Sequence, residues 1–291
     1  MTLPVLFGAN VDPVWGEGDQ PLRYALQADR AGLDLVTVQD HPYQQAFHDT
    51  WTLMAFLAAR TERVTFVPTV ANLPLRPPAM LAKAAASFDL LSGGRLQLGL
   101  GAGAFWEPIA AMGGPRRGKK EAVDALIDAI DVIRAMWSGE RTARAGGEYY
   151  RVAGIHPGPT PSPSLGIWLG AYGPRMLKLT GARADGWMPS LFSLGLDRLG
   201  DAVARVDEAA ARAGRDPGAI RKVYNLNGLI EPTSRGDFHG PVGQWVEQIA
   251  QVHREHGMNG FAYWPDGDHE RQLGVFAHEV VPAVRQALAT P

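Results

Sequence analysis

The sequence predicts a closed (β/α)8 TIM barrel, and three observations carry that reading. Short β-branched or apolar segments alternate eight times with Ala/Leu-rich segments of helical period. No composition break or linker divides the 291 residues, although that length permits one or two domains. Eight alternations also exceed the roughly five to seven strands usual in a doubly wound sheet with a second domain, whereas barrels reach this size as one unit. The expectation is one barrel domain over residues 1–291 with an irregular excursion at about 138–165.

The first strand is Pro4 to Ala9; after a Gly-rich loop a helix runs from about Pro21 to Ala31, where Gly32 stops it. Leu35 to Val38 is strand two, and the Asp49/Thr50 pair caps a helix to about Ala59. Val64 to Val67 is strand three. The helix after it starts at Pro77-Pro78 and ends at Gly93-Gly94, with Pro first and Gly after. Leu96 to Leu100 is strand four, and its helix is delayed to about Glu121 through Trp137. In the excursion, Tyr149 to Val152 suits one arm of a small hairpin, and Pro157 to Pro163 is too Pro-dense for regular structure. Four further units follow: Ile167-Trp168-Leu169 with a helix from Pro174; Gly186-Trp187-Met188 with a helix near Asp197 to Ala213; Val223 to Ile230 with one near Pro241 to His256; and Phe261 to Trp264 with one near Glu270 to Leu288.

Composition narrows the function classes. Lys+Arg number 28 and Asp+Glu 30, a net charge of −2, so nothing in the charge favours nucleic acid as a partner. The absence of cysteine excludes disulfides, thiolate chemistry and Cys-ligated metal centres. With no basic leader at Met1 and no apolar run near the roughly 20 residues a bilayer requires, a cytoplasmic location is expected, with no membrane partner.

A barrel puts its site at the C-terminal strand ends, so the residues after each strand matter most. Strand two ends in Gln39-Asp40-His41-Pro42-Tyr43, where an imidazole that titrates near neutrality can act as general acid or base; the bland alternative is that Asp40 and His41 cap the following loop. Strand four runs into Gly99, Gly101 and Gly103, ahead of Ala104. A dinucleotide fingerprint belongs after the first strand and opens a helix at once, so these glycines read as close backbone approach to a flat ligand, or as simple turns. After strand five, Gly170-Ala171-Tyr172-Gly173-Pro174-Arg175 feeds a helix N-terminus, the best anion site in the chain, with Arg175 and Lys178 adding charge; a ligand-free barrel loop is the alternative. The run Arg116, Arg117, Lys119, Lys120 lies on the same face, although such runs are usually just solvated. His253 and His256 sit on the barrel's outside near a helix end and no His-Glu-x-x-His occurs, so no metal is expected.

Taken together in order and spacing, Val38-Gln-Asp-His-Pro, Pro68-Thr-Val-Ala-Asn, Gly94-Arg-Leu-Gln-Leu-Gly-Leu-Gly-Ala-Gly with Glu107 beyond, Ile167-Trp-Leu-Gly-Ala-Tyr-Gly-Pro-Arg-Met and Ala184-Asp-Gly-Trp make the chain resemble the bacterial luciferase-like superfamily of flavin- and deazaflavin-dependent oxidoreductases. The resemblance spans essentially the whole length. It implies a barrel holding a tricyclic ring across its mouth and passing hydride or electrons to a small organic substrate. It implies that Asp40 and His41 face the reactive part of the ring, that Thr69 and Val70 back it on a bulge with a cis peptide at Thr69–Val70 or, second, Val70–Ala71, and that Gly101, Gly103 and Glu107 form the ring-side loop. Gly170 to Arg175 then match the segment whose amides hold the cofactor phosphate.

In the sugar-phosphate-oxidising branch an acidic residue follows the strand-four glycines and a Trp follows the strand-two His; here Ala104 and Tyr43 stand there, which argues against glucose-6-phosphate dehydrogenase activity. Tyr43, Phe105, Trp106, Trp187, Phe192 and Trp264 are the candidate lining of a hydrophobic substrate pocket. The leading expectation is an enzyme using coenzyme F420, the deazaflavin, with His41 moving the proton and Asp40 holding the polar end of the ring or tuning the imidazole. The alternatives are an FMN-dependent monooxygenase using dioxygen and a cofactor-binding paralogue without turnover; a metal-dependent hydrolase is remote, since the first strand lacks His-x-His. The resemblance suggests a homodimer.

Overall fold

The computed structural model describes residues 3–16 and 18–289. In chain order its elements are β1 (Leu6–Asn10), α1 (Gln20–Arg30), β2 (Leu35–Val38), α2 (Thr50–Ala58), β3 (Thr65–Pro68), β4 (Ala71–Asn72), α3 (Pro78–Leu91), β5 (Leu98–Gly101), α4 (Trp106–Ala111), α5 (Lys119–Trp137), β6 (Ala143–Gly146), β7 (Arg151–Ile155), β8 (Ile167–Leu169), α6 (Pro174–Arg183), β9 (Gly186–Trp187), α7 (Leu196–Arg212), β10 (Arg221–Ile230), β11 (His239–Gly240), α8 (Val242–His256), β12 (Gly260–Pro265), α9 (His269–Val275) and α10 (Val281–Ala289).

The strands pair in the order β3-β2-β1-β12-β10-β9-β8-β5-β4, every pair along it parallel. β3 and β4 are two halves of one barrel position, separated at Thr69–Val70, which is a cis peptide as the resemblance implied. The ring closes because β3 also reaches the residues entering β5: the Phe66 amide donates to the Arg95 carbonyl at 3.0 Å and the Gln97 amide to the Phe66 carbonyl at 3.0 Å. The barrel read from the sequence is thus formed.

Helix ends follow local chemistry. Pro opens α1, α3 and α6, where the missing N–H costs nothing. The Asp49 carboxylate accepts from the Thr52 amide at 2.9 Å at the start of α2, and the Gly118 amide donates to Glu121 Oε2 at 2.7 Å at the start of α5. Asp29, near the end of α1, accepts from the amides of Glu62, Arg63 and Val64, tying that helix to the entry of β3.

Side-chain alternation splits the core in two. Outward residues such as Phe7, Phe66, Leu98, Trp187, Tyr224 and Phe261 pack under the helices. Inward residues Leu35, Val67, Trp168, Met188, Val223 and Ala262 fill the barrel interior and make an apolar floor. Whatever binds at the mouth therefore rests on a closed hydrocarbon base.

Three local features differ from the sequence reading. The loop after β5 holds the extra helix α4, too short for a periodic signal. The last helix is interrupted by a π-helical turn at Phe276–Val280, an insertion invisible to a 3.6-residue period. The excursion's hairpin pairs β6 with β7, and β7 starts at Arg151 rather than at the expected Tyr149. Among the described residues no helix is long and apolar enough to cross a membrane.

Candidate active site

The C-terminal strand ends enclose a cleft of about 870 Å³. β1 gives it Asn10, the β2 loop Gln39, Asp40, His41 and Tyr43, and the β3–β4 break Thr69 to Asn72. β5 gives Gly101 to Phe105, the β8 loop Gly170, Tyr172 and Gly173, the β9 loop Met188, Ser190, Phe192 and Ser193, β10 Asn225 and Asn227, and β12 Trp264. Lys119, Gly173, Met176, Ala102 and Gly103 also line a second cavity of about 650 Å³, which adds Trp106, Lys120, Pro174 and Arg175. Cleft and annex adjoin along these shared walls as two parts of a trough, and Gly173 at the α6 N-terminus lines both.

The wall of the cleft is set by Val70. A Cβ on Gly101 would lie 2.5 Å from Val70 Cγ2, and one on Gly170 would lie 3.1 Å from Val70 Cγ1. These two glycines therefore leave room for the Val70 side chain, and both still line the cleft. Gly103 has φ +104, and a Cβ there would strike Trp106 and Pro74 at 2.6 and 2.8 Å.

Asp40 is held by a partner the sequence did not reveal. Its carboxylate, with no exposed surface, accepts from Arg76 Nε at 2.6 Å and Nη2 at 2.7 Å and from the Asn72 amide at 2.8 Å. Arg76 also reaches Asp49 at 2.6 Å. Two carboxylates raise its pKa above the ordinary arginine value despite burial. Asp40 thus ties the β2 loop to the segment carrying Val70 and Asn72.

His41 presents a different environment. Its Nδ1 lies 2.7 Å from the Tyr43 hydroxyl, and the Phe105 ring stands edge-on to it at 5.6 Å. Burial lowers its pKa below 6.5 against the opposing pull of Asp40, so the imidazole is neutral at neutral pH.

Residues 7–235 match the profile of the luciferase-like monooxygenase family. The chain belongs to that family. The F420-dependent glucose-6-phosphate dehydrogenase of Nocardia farcinica is 33% identical over 212 residues, 69% of this chain and 62% of that relative. The F420-dependent hydroxymycolic acid dehydrogenase of Mycobacterium tuberculosis is 33% identical over 219 residues, 73% of this chain and 59% of the other. The chain spans about three fifths of the length of these two relatives. Among solved structures, an F420-dependent secondary alcohol dehydrogenase in complex with an F420-acetone adduct superimposes with a TM-score of 0.86 at 18% identity, covering 97% of this chain and 100% of that one. At that identity the likeness is one of fold.

Within this luciferase-like barrel, His41, Asp40, Thr69, Val70, Gly101, Gly103, Gly170, Tyr172, Gly173, Tyr43, Phe105, Phe192 and Trp264 come together in the cleft. Others do not. Trp187 is fully buried on the outward face, its Nε1 donating to the Ala171 carbonyl at 3.0 Å, and neither it nor Ala171 lines the trough; the inward neighbour, missed in the sequence, is Met188. Trp106 lines the annex and not the cleft, because it folds back over Gly103. Glu107 turns out to solvent and pairs with Arg116. Arg175 lines the annex but its guanidinium is taken by Asp124, which also holds Lys120 at 3.0 Å. Arg117 lies over the rings of Tyr149 and Tyr150 at 5.4 and 4.8 Å. Lys178 faces a separate groove between α6 and α7. Of the basic run only Lys119 lines both cavities, and its side chain has no ion pair among the described residues. His253 Nδ1 lies 2.7 Å from the Met258 carbonyl. Asn225, Asn227 and Ser190 are polar lining that no motif announced, and Asn72, the last residue of the Pro68-Thr-Val-Ala-Asn segment, joins them.

Proposed function

We propose that this chain is an oxidoreductase that uses coenzyme F420 to exchange hydride with a small, uncharged, largely apolar organic substrate. The observation that carries the reading is a cleft of about 870 Å³ over an apolar floor that shares its wall at a helix N-terminus with an adjoining annex, Lys119 lining both. Two observations support the fit of such a cofactor. The buried side-chain oxygens Asn72 Oδ1 and Asn227 Oδ1 have no hydrogen-bond partner among the described residues, and both residues line the cleft, so a ring edge carrying N–H groups would satisfy them. A Cβ on Gly173 would meet nothing within 4 Å, so the backbone at the α6 N-terminus is open to a phosphate.

When bound, the deazaflavin supplies or accepts the hydride at one face of its ring. Asn72 and Asn227 orient the ring's polar edge, Val70 backs it, and the α6 N-terminus with Lys119 holds the phosphate and the anionic tail. His41, neutral and facing the cleft, moves the proton that balances hydride transfer at a substrate oxygen. Asp40 acts through Arg76 and the Asn72 amide, keeping that wall in place. Tyr43, Phe105, Phe192 and Trp264 exclude water from the substrate.

The substrate class follows from charge. Lys119 is the one Lys or Arg lining the cleft among the described residues, and it belongs equally to the annex. No second cation is left to bind a substrate phosphate, so sugar phosphates, the substrates in the name of the Nocardia relative, do not suit this cleft. Titrating F420 and FMN into the protein at low and physiological salt tests the cofactor. F420 should bind more tightly, with an affinity that falls as salt screens charges beyond about 8–10 Å, and Lys119→Ala should flatten that salt dependence. Equal or preferential binding of FMN overturns the reading in favour of flavin chemistry; F420 binding without turnover of any carbonyl or alcohol supports a paralogue that only holds the cofactor.

A further inference from the structure

His41 and Tyr43 share the loop after β2, and their side chains meet: Nδ1 and Oη lie 2.7 Å apart. Phe105 closes the group, its ring 5.6 Å from His41 and 6.2 Å from Tyr43, on a left-handed backbone with φ 53. Among the described residues Tyr43 Oη has no other hydrogen-bond partner, and His41 Nε2 has none. The contact admits two proton arrangements. If Nδ1–H donated to the phenol oxygen, the Tyr43 O–H would have no protein acceptor. If the phenol donates, its one proton is used on the lone pair of Nδ1, and the remaining Nε2–H is left for a ligand in the cleft.

We propose that Tyr43 is a positioning residue: its O–H donates to Nδ1 of His41, fixes the imidazole as the Nε2–H tautomer and aims that N–H into the cleft. The proposal rests on the hydride-transfer reading above and deepens it, because a substrate oxygen gaining negative character needs a hydrogen-bond donor, which an Nε2–H supplies and an Nε2 lone pair cannot. Burial and the nearby Asp40 carboxylate push the Tyr43 hydroxyl up to about 12, so it stays a donor across the working pH range. The other charged groups about the pair are Asp40, tied to Arg76, and Lys119, which lines the same cleft.

The test uses the protein without cofactor, labelled with 15N-histidine, and assigns His41 by its loss in His41→Asn. The wild type should show the Nε2–H tautomer. Tyr43→Phe keeps the ring against Phe105 and removes only the hydroxyl. It should give a mixture of tautomers and raise the His41 pKa by about 0.5–1 unit, the worth of one neutral hydrogen bond. In F420-dependent turnover the same variant should lose about tenfold in kcat, with KM and cofactor affinity within about twofold. An Nδ1–H tautomer in the wild type overturns the proposal, as do unchanged His41 signals in Tyr43→Phe. If the wild type fails to bind F420, the cofactor reading falls and the nitrogen signals still decide the role of Tyr43.

Discussion

Replacing Arg76 by Met is the perturbation whose size the structure fixes best. The Asp40 side chain has no exposed surface and that of Arg76 is 19% exposed, with two short bonds joining them in a fork. Met keeps most of the apolar stem but leaves a buried carboxylate with only the Asn72 amide as donor. Breaking one side of such a pair costs about 3–5 kcal/mol, because the remaining charge stays out of water uncompensated. Spread over the unfolding entropy of a chain of 291 residues, that loss lowers Tm by about 5–8 °C. The assay is thermal unfolding of wild type, Arg76→Met, Asp40→Asn and the double variant. Each single variant should lose several degrees, and the double variant should lose clearly less than their sum, since removing both charges leaves neither stranded. Loss of cofactor affinity should accompany the loss of stability, because Asn72 and Val70 hang on the same tie. Additive losses, or an Arg76→Met variant melting within about 1 °C of wild type, would refute the argument.

Three further outcomes are expected. His41→Ala should lower kcat by about 10²–10⁴-fold and leave cofactor affinity within a few-fold; an active but destabilised variant would show that the imidazole only packs. Gly101→Ala should push Val70, which its Cβ would meet at 2.5 Å, toward the ring, so ligand titration should show weakened F420 binding with a smaller effect on Tm. Burial raises the pKa of Asp29 and of Asp49, but the amides of Val64, Arg63 and Glu62 in the first case and Arg76 with Thr52 in the second outweigh it, holding both below 3.8. Their contribution to stability is therefore complete above 3.8 and is lost as pH falls through the depressed values; urea midpoints across the acid range should show Asp29→Asn less stable at neutral pH and less sensitive to acid.

The barrel was legible because eight periodic alternations depend on composition that survives in every strand and helix. The strand-end chemistry was legible where neighbours in sequence stay neighbours in space: Asp40 with His41, or Gly170 with Gly173. Face was harder to read. Trp187 and Met188 differ by one residue, and a two-residue strand carries no alternation from which to tell which points inward. Arg76 escaped because its partners Asp40 and Asp49 lie far upstream, and the turn that delivers it, Leu73–Leu75, is a short 3-10 helix without a motif. The basic run was counted as four charges, yet pairing with Glu107, Asp124 and the two tyrosines leaves only Lys119 free for a ligand among the described residues.

The trough is uneven along its length, with an enclosed apolar end on the barrel floor and an exposed charged end at Lys119. A long anionic ligand meets those ends at different stages of binding. Encounter is guided by the charged end, so the association rate is the quantity that ionic strength slows. On the proposed reading, departure requires the flat end to leave its desolvated seat, so residence time should depend on Val70 and the asparagines and be nearly indifferent to salt. If the proposed coenzyme binds here, one groove would separate how quickly it is captured from how long it stays, and substitutions at the two ends should move these two rates independently.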